Sequence, residues 1–323
     1  MLITELKKRV LAGYKLTRED AVQLLEVPLE ELTKAADEIR NHFCGNGFDI
    51  CTIVNAKCVK CSEDCKYCAQ SAHYHTDCTE AYPLLDTAEL VEGARHNKEQ
   101  GVLRYSLVTS GRALSDEEVD KICESIKAIR EQVGIKVCVS FGLLNKEQYA
   151  KIHAAGATRV HCNLESSRRY FPQICTTHTY EEKIASLKAA KEAGMSICSG
   201  GILGLGETFE DRIDMVLTAR ELGVKSIPVN VLNPIPGTPY AHNPVLSNAE
   251  VSRFVAIFRF LIPDGAVRLA GGRGLLGDKG EMCFTSGANA AISGDMLTTA
   301  GITMGTDMQL LKKLGYEARL CNE

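Results

Sequence analysis

The alternation of apolar and polar positions divides the chain into a helical start followed by repeated strand–helix units. Residues 4–43 carry apolar side chains at helical spacing, which predicts a helical cap. Short β-rich runs then recur at 50–55, 102–108, 135–141, 157–165, 195–202, 225–232, 265–270 and 288–294. Most intervals between these runs show an amphipathic helical pattern, as over 116–132 and 179–194.

Strands that alternate with helices predict a (β/α)8 TIM-type barrel with an N-terminal helical cap, the alternative being a doubly wound open sheet. We expect a single domain over residues 1–323, with the cap in 1–45 and the barrel and C-terminal segment in 46–323. The content of hydrophobic residues, 45%, suits one large core. In such a barrel the functional side chains lie at the carboxyl ends of the strands.

Composition narrows the class of protein. The net charge is −4 and the basic residues are dispersed, so nucleic acid is not an expected partner. Apolar runs stay shorter than the roughly 18 residues that span a membrane, and the N-terminus lacks the apolar core of a secretory signal, so we expect a cytoplasmic protein. Fourteen cysteines in a reducing compartment favour metal binding over disulfides.

The segment CVKCSEDCKYCAQS follows the first predicted strand and concentrates four of these cysteines. The spacing C-x3-C-x2-C of Cys61, Cys65 and Cys68 lets one loop bind three corners of a four-iron cubane, which leaves the fourth iron open. Zinc is the alternative, because Cys58 adds a fourth thiolate, although three residues between the two pairs is a cramped spacing for zinc.

This loop, with an aromatic residue between its last two cysteines, resembles the signature of the radical S-adenosylmethionine (SAM) enzymes. The longer string NAKCVKCSEDCKYCAQS is similar to the biotin synthase family in particular. The resemblance continues in order over residues 45–315, through HCNLESS, CTTHTYEEK, CSGGILGLGET, SIPVNVLNPIPGTP, VRLAGGR and MCFTSGANA. Hydrogenase-maturation and methylornithine-forming enzymes are the nearest alternatives with SAM chemistry, and a zinc-stabilised barrel is the alternative without it.

The resemblance implies the conversion of dethiobiotin to biotin, with radicals from SAM and sulfur from an auxiliary iron–sulfur cluster. It further implies a flavodoxin or ferredoxin as electron donor and a homodimer. Motif matching places Cys138, Cys198 and Arg268 at auxiliary-cluster positions. Ser106 stands where the family has a cysteine, and Cys51 where it has a serine facing the same cavity. We therefore expect Cys51, Cys138 and Cys198 to hold a two-iron cluster or a four-iron cluster with an extra sulfide, the alternative being ordinary buried cysteines.

The same matching assigns the SAM contacts, with Glu165 at the ribose hydroxyls and Lys183 at the carboxylate. These contacts are Tyr67, Thr109, Ser110, Gly111, Glu165, Lys183, Gly200, Ile202, Gly204 and Glu207. Asn163 and Asn230 match the amide pair for the ureido ring of the substrate, although strand-end asparagines also cap turns. His161 replaces an asparagine of the family pattern.

Strand alternation separates the side chains around the fourth strand. If Asn163 points into the barrel, then His161 and Glu165 do so too, while Cys162 packs against the helices. In the loop that follows, Thr176, Thr177 and His178 are candidates for the substrate carboxylate. Cys175 is a candidate further metal ligand near the barrel mouth.

Overall fold

The N-terminal cap of the computed structural model, which describes residues 2–76 and 80–321, consists of several short helices. They are α1 (Leu2–Leu11), α2 (Arg18–Gln23), a 3-10 turn (Leu24–Glu26) and α3 (Leu29–Cys44). Thr17 and Asp20 form a capping box at the start of α2. The extended backbone of Pro28 separates the 3-10 turn from α3, which is why the predicted cap is broken into pieces.

A closed parallel sheet forms the body of the molecule. Its strands are β1 (Gly47–Lys57), β2 (Arg104–Thr109), β3 (Lys136–Ser140), β4 (Arg159–His161), β5 (Ser196–Cys198), β6 (Gly201–Leu203), β7 (Ser226–Val231), β8 (Ala266–Leu269) and β9 (Ala290–Ile292). The order is β1-β2-β3-β4-β5-β7-β8-β9, and β9 pairs with β1 to close the barrel, while β6 continues beside β7. A short β10 (Glu317–Ala318) pairs with the start of β1. The prediction of an eight-stranded α/β barrel is confirmed.

Helices follow the strands on the outside of the barrel. They are α4 (Thr87–Glu99), α5 (Asp116–Gln132), α6 (Lys146–Ala155), α7 (Phe171–Ile174), α8 (Tyr180–Glu192), α9 (Phe209–Glu221), α10 (Asn248–Leu261), a 3-10 turn (Arg273–Leu275), α11 (Glu281–Phe284) and α12 (Met304–Leu314). Capping boxes start α5, α6, α8 and α9, and the N-termini of α5 and α8 agree with the helical patterns predicted over 116–132 and 179–194. Helix α3 of the cap packs on α10. Within the described residues, no helix combines the length and apolar character needed to cross a membrane.

The predicted strand at 195–202 is interrupted in the structure. Cys198 pairs with Ser226, and pairing with β7 resumes only at Gly201 and Val229. Pro228 lies between these two points on β7 and has no backbone N–H to donate to a ladder. A β-carbon at Gly200 would lie 2.0 Å from the Pro228 carbonyl oxygen, so only glycine fits beside the interruption.

A buried ionic cluster, formed by Asp49 and three arginines, occupies the barrel interior below the cysteines. The Asp49 carboxylate lies 3.0 Å from Arg268 Nη2 of β8 and 3.9 Å from Arg159 Nη1 of β4. Arg104 of β2 adds a third guanidinium. Burial opposes ionisation of Asp49, but the guanidinium groups outweigh it and hold the pKa of this carboxyl below its ordinary value. Four strands are thus joined through one ionised side chain.

We predict that Asp49→Asn destabilises the barrel strongly, because it removes the buried counter-charge of these arginines while keeping the side-chain shape. The expected loss is about 3–5 kcal/mol in the free energy of unfolding. Chemical denaturation of cluster-free protein measures it. Asp264→Asn is the control, since Asp264 pairs with Lys225 on the surface and should cost at most about 1 kcal/mol. Equal losses in the two variants would contradict the role given to Asp49.

Candidate active site

The cysteine loop leaves β1 at the carboxyl end of the barrel and folds back on itself. The Ser110 hydroxyl, at the end of β2, accepts a hydrogen bond of 2.7 Å from the Val59 N–H and fixes the start of the loop. The Cys61 N–H donates to the Gln70 carbonyl at 2.8 Å, and the Cys68 N–H donates to the Cys65 carbonyl at 3.0 Å. These bonds present the thiols of Cys61, Cys65 and Cys68 half-buried at the barrel mouth.

Cys58 is held apart from those three cysteines. It is buried, it forms an antiparallel bridge with Tyr82, and its sulfur accepts a hydrogen bond of 3.2 Å from the Gln70 amide. A structural zinc site would bring four ligand atoms around one ion. Among the described residues, no set of thiol, imidazole or carboxylate ligands that close together includes Cys58. The arrangement therefore argues against the zinc alternative at this loop.

The three predicted substrate residues and five of the ten predicted SAM residues line two adjoining cavities, whereas Thr109, Ser110, Gly200, Gly204 and Glu207 line neither. The larger, of about 360 Å³, has among its lining residues Tyr67, Cys68, His161, Asn163, Glu165, Ile202 and Asn230. The smaller, of about 170 Å³, is lined in part by Cys61, Cys65, Gly111, Cys162 and Lys183. His161, Asn163 and Glu165 line both cavities, so the cluster loop and the candidate substrate residues share one wall. Cys162 also belongs to the hydrophobic core between the barrel and the helices.

Glu165 follows β4 in a left-handed backbone conformation, with φ of 69°, which is unusual for a residue with a side chain. Its Oε1 accepts a hydrogen bond of 2.9 Å from the Tyr67 hydroxyl. Burial first and then the Glu165 charge raise the pKa of Tyr67 well above its ordinary value, so the phenol remains a donor. Glu165 Oε2 is buried without a hydrogen-bond partner. A buried acceptor on a cavity wall suits the hydroxyl groups of a ribose.

Lys183, on α8, carries the positive charge of the smaller cavity. Its ammonium lies 5.7 Å from the centre of the Phe171 ring. Burial lowers the pKa of Lys183, but the nearby Cys162 and Glu165 outweigh that effect and leave it above the ordinary value. The side chain is therefore charged at neutral pH and suits a carboxylate bound in this cavity.

The glycine-rich segment after β5 forms its own turn. Gly204 has a φ of 101°, and its N–H donates to Glu207 Oε1 at 2.9 Å. The same oxygen accepts a hydrogen bond of 2.6 Å from Arg212 Nε. Glu207 thus closes the turn that presents Ile202 to the larger cavity. Arg212 was not indicated by any sequence motif.

Both candidate substrate amides are oriented by backbone groups. Asn163 Oδ1 accepts a hydrogen bond of 3.1 Å from the Gly200 N–H. Asn230 donates through Nδ2 to the Gly201 carbonyl at 3.0 Å and accepts from the Gly271 N–H at 2.9 Å. An amide nitrogen carries two protons, so donors remain available for a bound carbonyl. Turn capping and ligand binding therefore use different atoms of the same side chains.

His161 is neutral in this wall. Burial lowers its pKa to about 4, so the imidazole carries no charge at pH 7 and can donate or accept a hydrogen bond.

Thr298 and Thr299, between β9 and α12, line the larger cavity but were missed from the sequence. The threonines chosen from the sequence lie elsewhere. The Thr176 N–H donates to Asp64 Oδ1 at 2.8 Å, and the Thr177 hydroxyl donates to Glu63 Oε2 at 2.9 Å. One feature of the sequence could have identified the Thr298–Thr299 pair, namely its position after the last strand of the barrel.

The three cysteines predicted to hold an auxiliary cluster lie on the inner face of the barrel, one each on β1, β3 and β5, and all are buried. Cys138 is opposite Ser106 of β2 in the ladder and is hydrogen-bonded to it. Cys198 is opposite Ser226 of β7, and its Sγ lies 3.2 Å from the Ser226 Oγ. Burial is the main cause that raises the pKa of Cys51 to about 12.

Arg268 contacts this group from β8. Its Nη1 donates to the Cys51 sulfur at 3.1 Å, to the Asp49 carbonyl at 2.9 Å and to the Ala291 carbonyl at 3.0 Å. Burial would lower the pKa of Arg268, but Asp49 outweighs it and raises that pKa, so the guanidinium is firmly protonated.

Comparison with known proteins identifies the family of this chain. Residues 57–219 match the radical SAM superfamily, and residues 228–317 match the Biotin and Thiamin Synthesis associated domain. The chain is therefore a radical SAM enzyme. It is 57% identical to biotin synthase 2 of Corynebacterium diphtheriae, over 98% of this chain and 96% of that protein. It is 56% identical to the biotin synthase of Akkermansia muciniphila, over 99% of both. The chain belongs to the biotin synthase family.

Two solved structures with a similar fold belong to enzymes with other names. Methylornithine synthase superposes with a TM-score of 0.84 at 20% identity, over 98% of this chain and 97% of that one. The FeFe-hydrogenase maturase HydG from Carboxydothermus hydrogenoformans superposes with a TM-score of 0.83 at 16% identity, over 99% of this chain and 80% of that one. These two classes were the alternatives raised by the sequence. They share the fold, and the sequence identity to biotin synthases separates this chain from them.

We predict that Glu165→Gln weakens SAM binding about 10- to 100-fold, since a hydrogen bond to a charged acceptor contributes roughly 1.5–3 kcal/mol. The measurement is the SAM dissociation constant of reconstituted enzyme. Glu117→Gln, on the exposed surface of α5, is the control and should bind SAM like the wild type. If the Glu165 variant binds SAM as tightly as the wild type, the buried Glu165 Oε2 does not face SAM.

Proposed function

We propose that this member of the biotin synthase family inserts sulfur into dethiobiotin to form biotin at the two adjoining cavities. SAM binds against the cluster loop, in the smaller cavity and in the adjoining part of the larger one where Tyr67 and Ile202 lie, and dethiobiotin binds in the rest of the larger cavity. The observation that carries the proposal is the wall common to both cavities, which includes His161, Asn163 and Glu165. A group held on one side of this wall lies next to a substrate held on the other.

Cys61, Cys65 and Cys68 would hold the four-iron cluster. When bound, this cluster supplies the electron that cleaves the sulfonium bond of SAM. The chain's own residues position the reactants. Glu165, held by Tyr67, accepts the ribose hydroxyls, and Lys183 pairs with the SAM carboxylate.

The walls of the larger cavity exclude water from the reacting carbons. Ile53, Val108, Ile202 and Leu232 are among its lining residues. An apolar enclosure protects a reactive radical from side reactions with solvent. Asn163 and Asn230 donate to the ureido carbonyl of the substrate through amide protons that their backbone contacts leave available.

Cys51, Cys138 and Cys198 would hold the auxiliary cluster, which would supply sulfur. Three buried thiols on the inner faces of β1, β3 and β5 support this assignment, and Cys51 would replace the family cysteine that is absent at Ser106. The guanidinium groups of Arg104 and Arg159 favour the thiolate form of Cys138, although burial dominates and raises its pKa. Three thiolates leave one corner of a four-iron cluster open for an additional sulfide, which favours this form over a two-iron cluster.

Arg268 serves this auxiliary cluster as a hydrogen-bond donor to the Cys51 sulfur rather than as a metal ligand. Its contact of 3.1 Å with the Cys51 sulfur supports this role, and the same Nη1 is held by the Asp49 and Ala291 carbonyls. A flavodoxin or ferredoxin as the electron donor and a homodimer remain proposals that rest on the family resemblance.

We predict that the two clusters are lost independently. Cys138→Ala should lose the auxiliary cluster and biotin formation yet still cleave SAM to 5′-deoxyadenosine. The triple variant Cys61→Ala/Cys65→Ala/Cys68→Ala should keep a cluster with its own Mössbauer signature but lose SAM cleavage. Iron and sulfide analysis, Mössbauer spectra and product assays on the same anaerobic samples measure these outcomes.

Cys123→Ala is the matched control for these variants, since Cys123 is a buried cysteine on α5 and should be dispensable for both clusters. If the triple variant loses all its iron, no auxiliary cluster exists and sulfur insertion by this route is excluded. If Cys138→Ala retains the full second cluster, the ligand assignment is wrong.

We predict that Thr298→Val/Thr299→Val raises the KM for dethiobiotin about tenfold, because the hydroxyls that would bind the substrate carboxylate are lost. Dethiobiotin methyl ester, which lacks the carboxylate charge, should be affected much less. Steady-state kinetics with both substrates provide the measurement. Thr176→Val is the control, and a raised KM in that variant alone would move the carboxylate site to the loop after β4.

A further inference from the structure

A second set of metal-ligand atoms lies against the cluster loop and joins one cluster cysteine, Cys65, to two residues, Cys175 and His178, that have no role in the reaction proposed above. Cys175, in the loop after α7, is buried, and its sulfur lies 3.2 Å from Nδ1 of His178. The ligand atoms of Cys65, Cys175 and His178 all lie within 4.8 Å of one another. Over residues 2–76 and 80–321, no other group of three such ligands is as close.

This spacing suits a single ion. Zinc–sulfur bonds of about 2.3 Å in a tetrahedral site put two thiolates roughly 3.8 Å apart. In a cubane, by contrast, each cysteine binds a different iron. Cys65 therefore cannot serve the four-iron cluster and a shared ion with Cys175 at the same time, so the two forms of the loop exclude each other.

Two carboxylates lie next to the three ligands. Asp64 Oδ1 lies 3.1 Å from the Cys175 sulfur, and Glu63 Oε2 lies 2.6 Å from His178 Nδ1. Two cations are also near, Arg112 at 3.3 Å from Glu63 on the solvent side and Lys183 inside the smaller cavity beside Cys65 and His178. Carboxylates next to thiol and imidazole ligands orient them and favour a bound cation.

We propose that, in the cluster-free protein, Cys65, Cys175 and His178 bind one thiophilic divalent cation of the Zn²⁺ class, with water at the fourth position. Binding displaces the two thiol protons to solvent and changes no oxidation state. The proposal rests on the proposed function only in taking Cys65 as a ligand of the SAM cluster. The bound ion then blocks assembly of that cluster.

Titration of the cluster-free, full-length protein with Co²⁺ under anaerobic conditions tests the site. Wild type should bind one equivalent that shows tetrahedral cobalt–thiolate absorption and that Zn²⁺ displaces. Cys175→Ser and His178→Gln should each lose this equivalent, because each removes one of the three ligands. Cys61→Ala/Cys68→Ala, which removes the other two cluster cysteines, should retain it. Circular dichroism verifies that each variant is folded. If Cys175→Ser is unfolded, the result with His178→Gln tests the proposal instead.

Equal binding by wild type, Cys175→Ser and His178→Gln would overturn the proposal. So would loss of the equivalent in Cys61→Ala/Cys68→Ala alone, since the ion would then sit on the cluster ligands themselves.

A second measurement follows cluster assembly by electron paramagnetic resonance. Zn²⁺ added before iron and sulfide should lower the yield of the SAM cluster in wild type and have little effect in Cys175→Ser. If Cys175→Ser cannot assemble the SAM cluster even without zinc, Cys175 belongs to that cluster and the proposal fails. Absence of biotin formation from dethiobiotin would contradict the proposed function but would leave these binding results unchanged.

Discussion

The ion pairs of Asp49 are the constraint on which the barrel interior depends. One buried carboxylate faces guanidinium groups from three other strands, so the relative heights of β1, β2, β4 and β8 are fixed by charge as well as by backbone ladders. A strand that slipped by one residue would turn its charged side chain to the other face. Because Arg268 also donates to the Cys51 sulfur, the ionic cluster sets the position of the thiol above it.

Above the ionic cluster of Asp49, the kinds of side chain inside the barrel change along the strands. A group of thiols follows, on β1, β3 and β5, and the amides, the imidazole and the carboxylate of the cavity wall lie at the strand ends. The fold explains this order, since alternate residues of parallel strands stack inside a barrel and the loops at the carboxyl ends carry the chemistry. Because of that stacking, four residues line both cavities, Ser140, His161, Asn163 and Glu165.

Much of this arrangement could be predicted from the sequence, because it depends on periodicity and local spacing. The strands, the capped helices and the spacing of Cys61, Cys65 and Cys68 are local signals. Other features need contacts between distant segments. The break opposite Pro228 depends on a neighbouring strand, the Thr298–Thr299 pair has no motif, and Cys175 meets Cys65 only through folding.

The interruption after β5 leaves one backbone segment, Gly200–Gly201, in contact with three residues of the site. Gly200 receives the Glu165 N–H and donates to the Asn163 amide, while the Gly201 carbonyl receives the Asn230 amide. In an unbroken ladder these backbone groups would be committed to the backbones of the neighbouring strands. Two glycines therefore connect the residue proposed for the ribose with both residues proposed for the ureido ring, and a shift of this dipeptide moves all three together.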